Sequence, residues 1–445
     1  MYKPLVAIVG RPNVGKSAFF NVIAGQRIAI VKDQPGVTRD RIYADTIWNG
    51  RTFTLIDTGG IDTQSEDVLL SQMRRQAEIA IETADLICFF IDARDGLTHQ
   101  DAEIANILRR SRKPVLLVAN KVDHKGLEDI LYEAFSLGLG EAVGISSTNM
   151  LGLGDLLDEI VARLPEDKAS EEDEGQVINL AIVGRPNVGK SSLANRLLGE
   201  ERVMVSDIPG TTRDAIDTRF EAPDGTVYNI IDTAGIRRKR AIEEESVERY
   251  SVLRSIAAIR RCDVALLLLD AQDGVTEQDM RIAGMIRDEG KALVITINKW
   301  DLIDKETGTL EAFQKEVLGK LVFVSYAPVL FISALSGKRV QLVWEEISRV
   351  YAQATRRVPT GALNDVLGDA QIAVQPPMEG GRRLKVLYAT QQGTLPPTFI
   401  LFVNEAKLMH FAYERYLENQ IRQAFDFIGT PIRFVLRERE KEDRA

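Results

Sequence analysis

Gly10-Arg11-Pro12-Asn13-Val14-Gly15-Lys16-Ser17 is repeated letter for letter as Gly184-Arg185-Pro186-Asn187-Val188-Gly189-Lys190-Ser191. Each octapeptide follows an unbroken apolar run, Val6 to Val9 and Leu180 to Val183, and precedes a helix-compatible segment. In a strand, glycine loop and helix so ordered, backbone N–H groups surround a diphosphate, the lysine meets the outer phosphates and the hydroxyl meets Mg²⁺. The chain is therefore expected to carry two nucleotide sites.

The repetition runs well past the loops. Lys190 lies 174 residues after Lys16, Asp232 lies 175 after Asp57, Asn298 lies 178 after Asn120 and Ser333 lies 187 after Ser146. A whole domain is duplicated, and the growing offset places insertions late in the second copy, where loops are the expected location. Further unalternating apolar runs at Leu86 to Ile91, Val115 to Val118, Val264 to Leu269 and Leu293 to Ile297 predict parallel strands buried on both faces. Asn49-Gly50 and Asp224-Gly225 predict a two-residue hairpin turn in each copy, which adds one antiparallel strand to each sheet. The fold class predicted is α/β, two tandem doubly wound and mostly parallel sheets, with a small α+β domain after them.

Boundaries follow from composition. Residues 1–164 form the first repeat, and 165–176 form a linker in which Pro165 to Gly175 holds six acidic residues against one lysine. Residues 177–351 form the second repeat, 352–437 the small domain and 438–445 a charged tail. Within the small domain the pattern predicts helices at Leu363 to Ile372 and Leu408 to Phe425, with strands at Leu384 to Ala389, Phe399 to Asn404 and Ile432 to Leu436.

A chain of 445 residues with 45% hydrophobic and 27% charged residues suits two or three domains. Its net charge of −9 argues against wholesale wrapping around nucleic acid. The two cysteines, Cys88 and Cys262, sit at or in apolar runs, which excludes a disulfide framework. Met1 to Lys3 leads directly into the first strand, and no apolar run reaches a membrane span, so a cytoplasmic chain is expected. The three histidines, His99, His124 and His410, lack metal-ligand spacing.

The remaining chemistry recurs in order. Ser17 and Ser191 are candidate Mg²⁺ ligands, joined by Thr38 and Thr212, which also offer an amide to a γ-phosphate, and by Asp57 and Asp232 at strand ends. Asp57-Thr58-Gly59-Gly60 and Asp232-Thr233-Ala234-Gly235 place a glycine amide near that phosphate. Asn120-Lys121-Val122-Asp123 and Asn298-Lys299-Trp300-Asp301 follow buried strands. Each aspartate matches guanine N1–H and its exocyclic amine, a pairing adenine cannot offer, so GTP and GDP are the expected ligands. Ser333-Ala334 and Ser146-Ser147 complete the base pockets through backbone amides.

This motif order resembles that of the translation-factor-type GTPases, and the tandem copies with a small C-terminal domain resemble the Der (EngA) family. The resemblance covers essentially the whole chain. At the C-terminus it is carried by Tyr388-Ala389-Thr390-Gln391, Pro396-Pro397-Thr398-Phe399, Tyr416-Leu417-Glu418-Asn419-Gln420 and Gly429-Thr430-Pro431-Ile432. It implies a KH-like last domain and a monomeric, cytoplasmic GTPase that binds the large (50S) ribosomal subunit and its rRNA during assembly, with no reading of DNA sequence and no membrane partner. The last domain lacks a G-x-x-G clamp, which turns expectation from reading single-stranded RNA toward RNA shape or packing on the GTPase domains.

Ile61 and Ile236 stand where many GTPases place a water-orienting glutamine. By the same resemblance, Asn13 and Asn187 are expected to help hold K⁺ near the β/γ-phosphates and to make hydrolysis K⁺-stimulated. Lys16, Thr38, Gly60, Lys190, Thr212 and Gly235 are the residues expected to serve catalysis. Arg237 to Arg240 either contact RNA or form a solvated surface facing Glu243 to Glu245. Two readings of the output stay open: a switch that turns over at both sites, and a sensor in which one site holds nucleotide without turnover. A membrane-remodelling role lacks a lipidation motif, a span or a basic amphipathic anchor.

Overall fold

A computed structural model describes residues 3–25, 43–57, 69–111, 113–127, 129–165, 177–199, 217–222, 225–231, 254–304, 306–376, 378–379 and 381–438. The chain divides into two compact units, residues 1–172 with 241–257, and residues 173–240 with 258–445.

The first unit is built on β1 (Leu5–Gly10), β2 (Tyr43–Trp48), β3 (Arg51–Asp57), β4 (Leu86–Asp92), β5 (Val115–Asn120) and β6 (Ala142–Gly144), in the order β2-β3-β1-β4-β5-β6. All pairings are parallel except β2 with β3. Strand β4 explains why its run does not alternate. Leu86, Cys88 and Phe90 face one core, Ile87, Phe89 and Ile91 face the other, and every residue of the strand is buried. Helices cover both faces, so the strand is apolar up to its last residue, Asp92, at the sheet edge.

The second unit repeats this plan with β7 (Val177–Val183), β8 (Thr218–Glu221), β9 (Val227–Ile231), β10 (Val264–Asp270), β11 (Ala292–Asn298) and β12 (Val329–Phe331), in the order β12-β11-β10-β7-β9-β8. In β10, Val264, Leu266 and Leu268 face one core and Ala265, Leu267 and Leu269 the other. Each parallel sheet thus gathers the C-terminal ends of its strands, and the loops that follow them, at one edge.

Two local expectations change. Asn49 and Gly50 both adopt positive φ (46° and 76°) and close a two-residue turn between Trp48 and Arg51, as read. The second hairpin is longer. Ala222 N–H donates to Thr226 O at 2.8 Å and Gly225 N–H to Ala222 O at 2.9 Å, with Gly225 at φ +80°. The two strands are therefore closed at Ala222 and Thr226, outside the Asp224-Gly225 pair, of which Asp224 lies outside the described residues. The late insertion also lies mainly outside loops. The helix Thr309–Lys320 (12 residues) stands where the first unit has the short helix Asp129–Glu133 (5 residues), so most of the added residues extend a helix.

The last domain contains a two-residue ladder, β13 (Met378–Glu379) with β14 (Arg382–Arg383), which sequence pattern missed. Its sheet is β15 (Val386–Gly393), β16 (Thr398–Val403) and β17 (Arg433–Glu438), with β15/β16 antiparallel and β16/β17 parallel. The helices Thr360–Ala373 and Phe411–Phe425 pack against each other, and both supply residues to the core that the sheet completes. Strand β15 begins at Val386 and not at Leu384, because the Lys385 N–H donates to Asn404 Oδ1 instead of entering the ladder.

This domain is docked on the second sheet. Gly429 accepts from Leu293 N–H at 2.6 Å and donates to Tyr326 O at 2.8 Å, and the Arg422 guanidinium lies 4.7 Å from the Tyr326 ring centre. Gly429 has φ +75°, and a Cβ there would stand 2.4 Å from Val350 Cγ2. Gly429→Ala is expected to lower the unfolding free energy of the second unit by about 1–3 kcal/mol, measured by urea denaturation. An unchanged midpoint would show that the contact is dispensable.

Candidate functional site

Strand β1 delivers the chain to Gly10, and the helix Lys16–Gly25 begins six residues later. Between them Asn13 takes left-handed backbone at φ 66°, and Asn187 does the same in the second copy. Gly15 has φ +91°, and a Cβ there would lie 2.2 Å from Asn120 Nδ2, so the loop closes against that side chain only with glycine.

Lys16 is buried. Its Nζ donates to Gly10 O at 2.6 Å and Arg11 O at 2.8 Å, which uses two of three N–H groups and leaves one for an anion. Burial pulls its pKa down to about 8, against the raising influence of Asp57, so at neutral pH most of it keeps its proton. Lys190 Nζ repeats the pattern, donating to Gly184 O at 2.8 Å and Arg185 O at 2.7 Å. Ser17 Oγ donates to Asp57 Oδ2 at 2.7 Å, bringing a hydroxyl and a carboxylate oxygen to one point. That hard-oxygen pair fits Mg²⁺.

The base-side loops are wired to the phosphate loops through one buried amide in each copy. Asn120 Nδ2 donates to Val14 O at 2.8 Å, and its Oδ1 accepts from Ser147 N–H and Oγ, both at 3.0 Å. Asn298 donates to Val188 O at 2.8 Å and accepts from Ala334 N–H at 2.9 Å. The serine standing in place of alanine thus finds a partner for its extra hydroxyl.

Lys121 and Lys299 sit in left-handed backbone, φ 68° and 63°, which turns their stems over each loop. Asp123 accepts from Ser146 Oγ at 2.6 Å, Arg94 Nε at 2.9 Å and Asn149 Nδ2 at 2.9 Å. The Ser146 hydrogen bond first, then Arg94, holds its carboxyl below the usual range. Ser146 and Ser333 are each joined by an isolated bridge, to Leu151 and Lys338. Trp300, beside Asp301, is buried with Phe331 at 4.5 Å and Phe313 at 5.3 Å between ring centres, so it is part of the core.

Thr38, Thr58, Gly59, Gly60, Thr212, Asp232, Thr233, Ala234 and Gly235 lie outside the described residues, as do Ile61, Ile236 and Arg237 to Arg240. The described candidates converge at one edge of each sheet: Gly10 to Ser17 with Asp57, Asn120, Lys121, Asp123, Ser146 and Ser147, and Gly184 to Ser191 with Asn298, Lys299, Asp301, Ser333 and Ala334.

Sequence reasoning missed a third loop in each site. Asp92-Ala93-Arg94-Asp95-Gly96 and Asp270-Ala271-Gln272-Asp273-Gly274 follow β4 and β10. Asp92 Oδ2 pairs with Lys121 Nζ, and Asp270 Oδ2 with Lys299 Nζ. Burial alone would push Asp92 up, yet the Lys121 bond and backbone donors bring it below its ordinary value. The signal was available, because the five-residue pattern recurs with one change. Cys88 and Cys262 are fully buried, which raises each thiol to about 12 and leaves it unreactive.

Among the described residues no helix is long and apolar enough to cross a membrane, and no group of three or more His, Cys, Asp or Glu gathers to hold a metal. The Ser–Asp pair above needs no such group.

Comparison with known proteins agrees with this geometry. A family described as "50S ribosome-binding GTPase" matches residues 5–121 and again 179–299. Residues 357–437 match the "KH-domain-like of EngA bacterial GTPase enzymes, C-terminal". The chain is 58% identical to GTPase Der of Acetivibrio thermocellus over 99% of its own length and 100% of that protein. It is 59% identical to GTPase Der of Ruminiclostridium cellulolyticum, and 56% to that of Alkaliphilus metalliredigens, over 100% of both chains in each case.

Proposed function

The chain belongs to the GTPase Der family, and from that premise we propose that it is a GTP-hydrolysing switch with two nucleotide sites that acts in assembly of the large ribosomal subunit. The observation that carries the two-site reading is the buried asparagine joining phosphate loop to base loop, Asn120 in one copy and Asn298 in the other, with the same partners in each. The ribosomal reading is supported by the match to a family of 50S ribosome-binding GTPases and by the KH-like module at residues 357–437.

On this reading the loop amides of Gly10 to Ser17 and Gly184 to Ser191 hold the phosphates. Lys16 and Lys190, each anchored by two carbonyls, present their ammonium groups to the outer phosphate oxygens. Asp123 and Asp301 read guanine, with Ser147 and Ala334 amides completing the pocket. Ser17, Thr38 and Asp57 in the first site, and Ser191, Thr212 and Asp232 in the second, would hold Mg²⁺, which neutralises phosphate charge when bound. Gly60 and Gly235 offer amides to the γ-phosphate, and its loss frees the loops bearing Thr38 and Thr212. The protein works in the cytoplasm as a monomer.

Ile61 and Ile236 occupy the position at which many GTPases place a water-orienting glutamine. Asn13, exposed and held at φ 66°, and Asn187 are the candidate K⁺ ligands, and added positive charge near the β/γ-phosphates is worth about 10³–10⁵ in rate when an arginine finger supplies it. GTP turnover is expected to rise at least about tenfold when K⁺ replaces Na⁺ at equal ionic strength. Equal rates in both salts would remove Asn13 and Asn187 from a cation site.

Base reading has its own check. Asp123→Asn or Asp301→Asn replaces an acceptor with a donor that suits the C2 carbonyl of xanthine. Each variant should shift its site toward xanthosine nucleotides by about 10²-fold or more, measured by competition against labelled GDP. A site that keeps its guanine preference is read by some other group.

The function itself is tested by pelleting the protein with purified 50S subunits, 30S subunits and liposomes, with GDP and with a non-hydrolysable GTP analogue. Nucleotide-dependent recovery with 50S subunits is expected. Recovery with 30S subunits or liposomes alone, or recovery indifferent to nucleotide, would overturn it.

A further inference from the structure

Asp101 and Asp279 are fully buried carboxylates at the third position of the helices His99–Arg110 and Glu277–Asp288. Each closes a capping box. Asp101 Oδ2 accepts from Thr98 N–H at 3.0 Å and Oγ1 at 2.7 Å, and Asp279 Oδ2 accepts from Thr276 N–H and Oγ1 at the same distances. Capping alone does not account for burial, because taking a carboxylate out of water costs several kcal/mol unless a cation faces it. The facing cation is the arginine of the phosphate loop.

Arg185 Nε donates to both oxygens of Asp279, at 3.2 and 3.1 Å, while its Nη2 donates to Asp273 at 3.1 Å. Arg11 approaches Asp101 more loosely in the first copy, its Nε 3.4 Å from Asp101 Oδ2 as an ion pair without a hydrogen bond, while its Nη1 donates to Asp95 and its Nη2 to Gly96 O, both at 3.3 Å. Both copies keep the same two ion pairs, of the phosphate-loop arginine with the cap aspartate and with the second aspartate of the following loop, Asp95 or Asp273.

The connections run from one end of each site to the other. The carbonyl of Arg11 or Arg185 is one of the two that aim the phosphate-loop lysine. Asp92 and Asp270, at the head of the loop that Arg11 and Arg185 grip, hold the lysines of the base-side motifs. Ala93 N–H and Ala271 N–H donate to the carbonyls of Asn120 and Asn298 at 2.9 and 3.0 Å.

We propose that Asp101 and Asp279 are positioning residues for nucleotide binding, which act through Arg11 and Arg185 to fix the carbonyls that aim Lys16 and Lys190. This rests on the reading of both loops as nucleotide sites. A buried charge is retained because a neutral cap would leave the arginine, and the carbonyl it carries, free to swing.

The test uses the full chain carrying Lys16→Ala to silence the first site, with release of fluorescent mant-GDP followed by stopped flow. Asp279→Asn keeps shape and cap, and Arg185→Gln, at a side chain 18% exposed, probes the same pair without altering the helix. Each is expected to speed release and weaken binding about tenfold, and the double variant no more than the larger single, since the two act as one unit. Additive losses, or singles within a factor of about two of the parent, would overturn the proposal. A parent chain that fails to take up mant-GDP would instead reject the nucleotide-site reading. Thermal midpoints accompany each variant, and a loss of binding that tracks a loss of fold in Asp279→Asn but is absent in Arg185→Gln counts against it.

Discussion

The structure turns on one buried side-chain amide per site. Asn120 and Asn298 are nearly inaccessible to water, and an unpaired amide there would forfeit about 1–3 kcal/mol for each lost partner. Each therefore dictates where its neighbours go: the carbonyl before Gly15 or Gly189 must present itself, and the amide of Ser147 or Ala334 must point back. The glycines follow from this, since any Cβ at Gly15 or Gly189 would strike the asparagine at 2.2 or 2.3 Å. Phosphate loop and base loop are thereby set at a fixed distance before any ligand is considered.

That constraint can be met only because the strands are parallel. Strands β1, β4 and β5 run side by side, so the loops leaving them share one edge, and register aligns Asp92 of β4 with Asn120 of β5. Asp270 and Asn298 are aligned identically in the second sheet. The two-faced burial of β4 and β10 makes register costly to slip, because a shift by one residue would exchange the large side chains of one core for those of the other. Apolar packing thus sets the polar geometry.

Much of this was legible from sequence because the informative features are local. Unbroken apolar runs name central strands, Asn49-Gly50 names its turn, and the glycine-lysine octapeptide and Asn-Lys-x-Asp fix the site's two ends. What escaped was set at long range. An aspartate three residues after Thr98 reads as an ordinary cap, and nothing nearby says that its charge is buried against Arg11, 90 residues earlier in the chain. The start of β15 depends on Asn404 capturing the Lys385 N–H, a side-chain choice that hydropathy cannot see. Offset arithmetic located the late insertion but could not tell a longer helix from a longer loop.

The duplication separates what geometry demands from what each copy is free to vary. Connections among phosphate loop, buried asparagine, base-side lysine and the Asp-Ala-x-Asp-Gly loop are the same in both copies. The variation gathers around the carboxylates of Asp123 and Asp301. Asp123 has Arg94 and Asn149 as donors, whereas the matching positions in the second copy are Gln272 and Ser336. A backbone frame that must place several groups within a fraction of an ångström tolerates little change. A partly exposed carboxylate keeps its position while its neighbours differ, because water can replace a missing donor. The frame is therefore held constant, and the residues beside Asp123 and Asp301 are where two otherwise matching sites differ in charge.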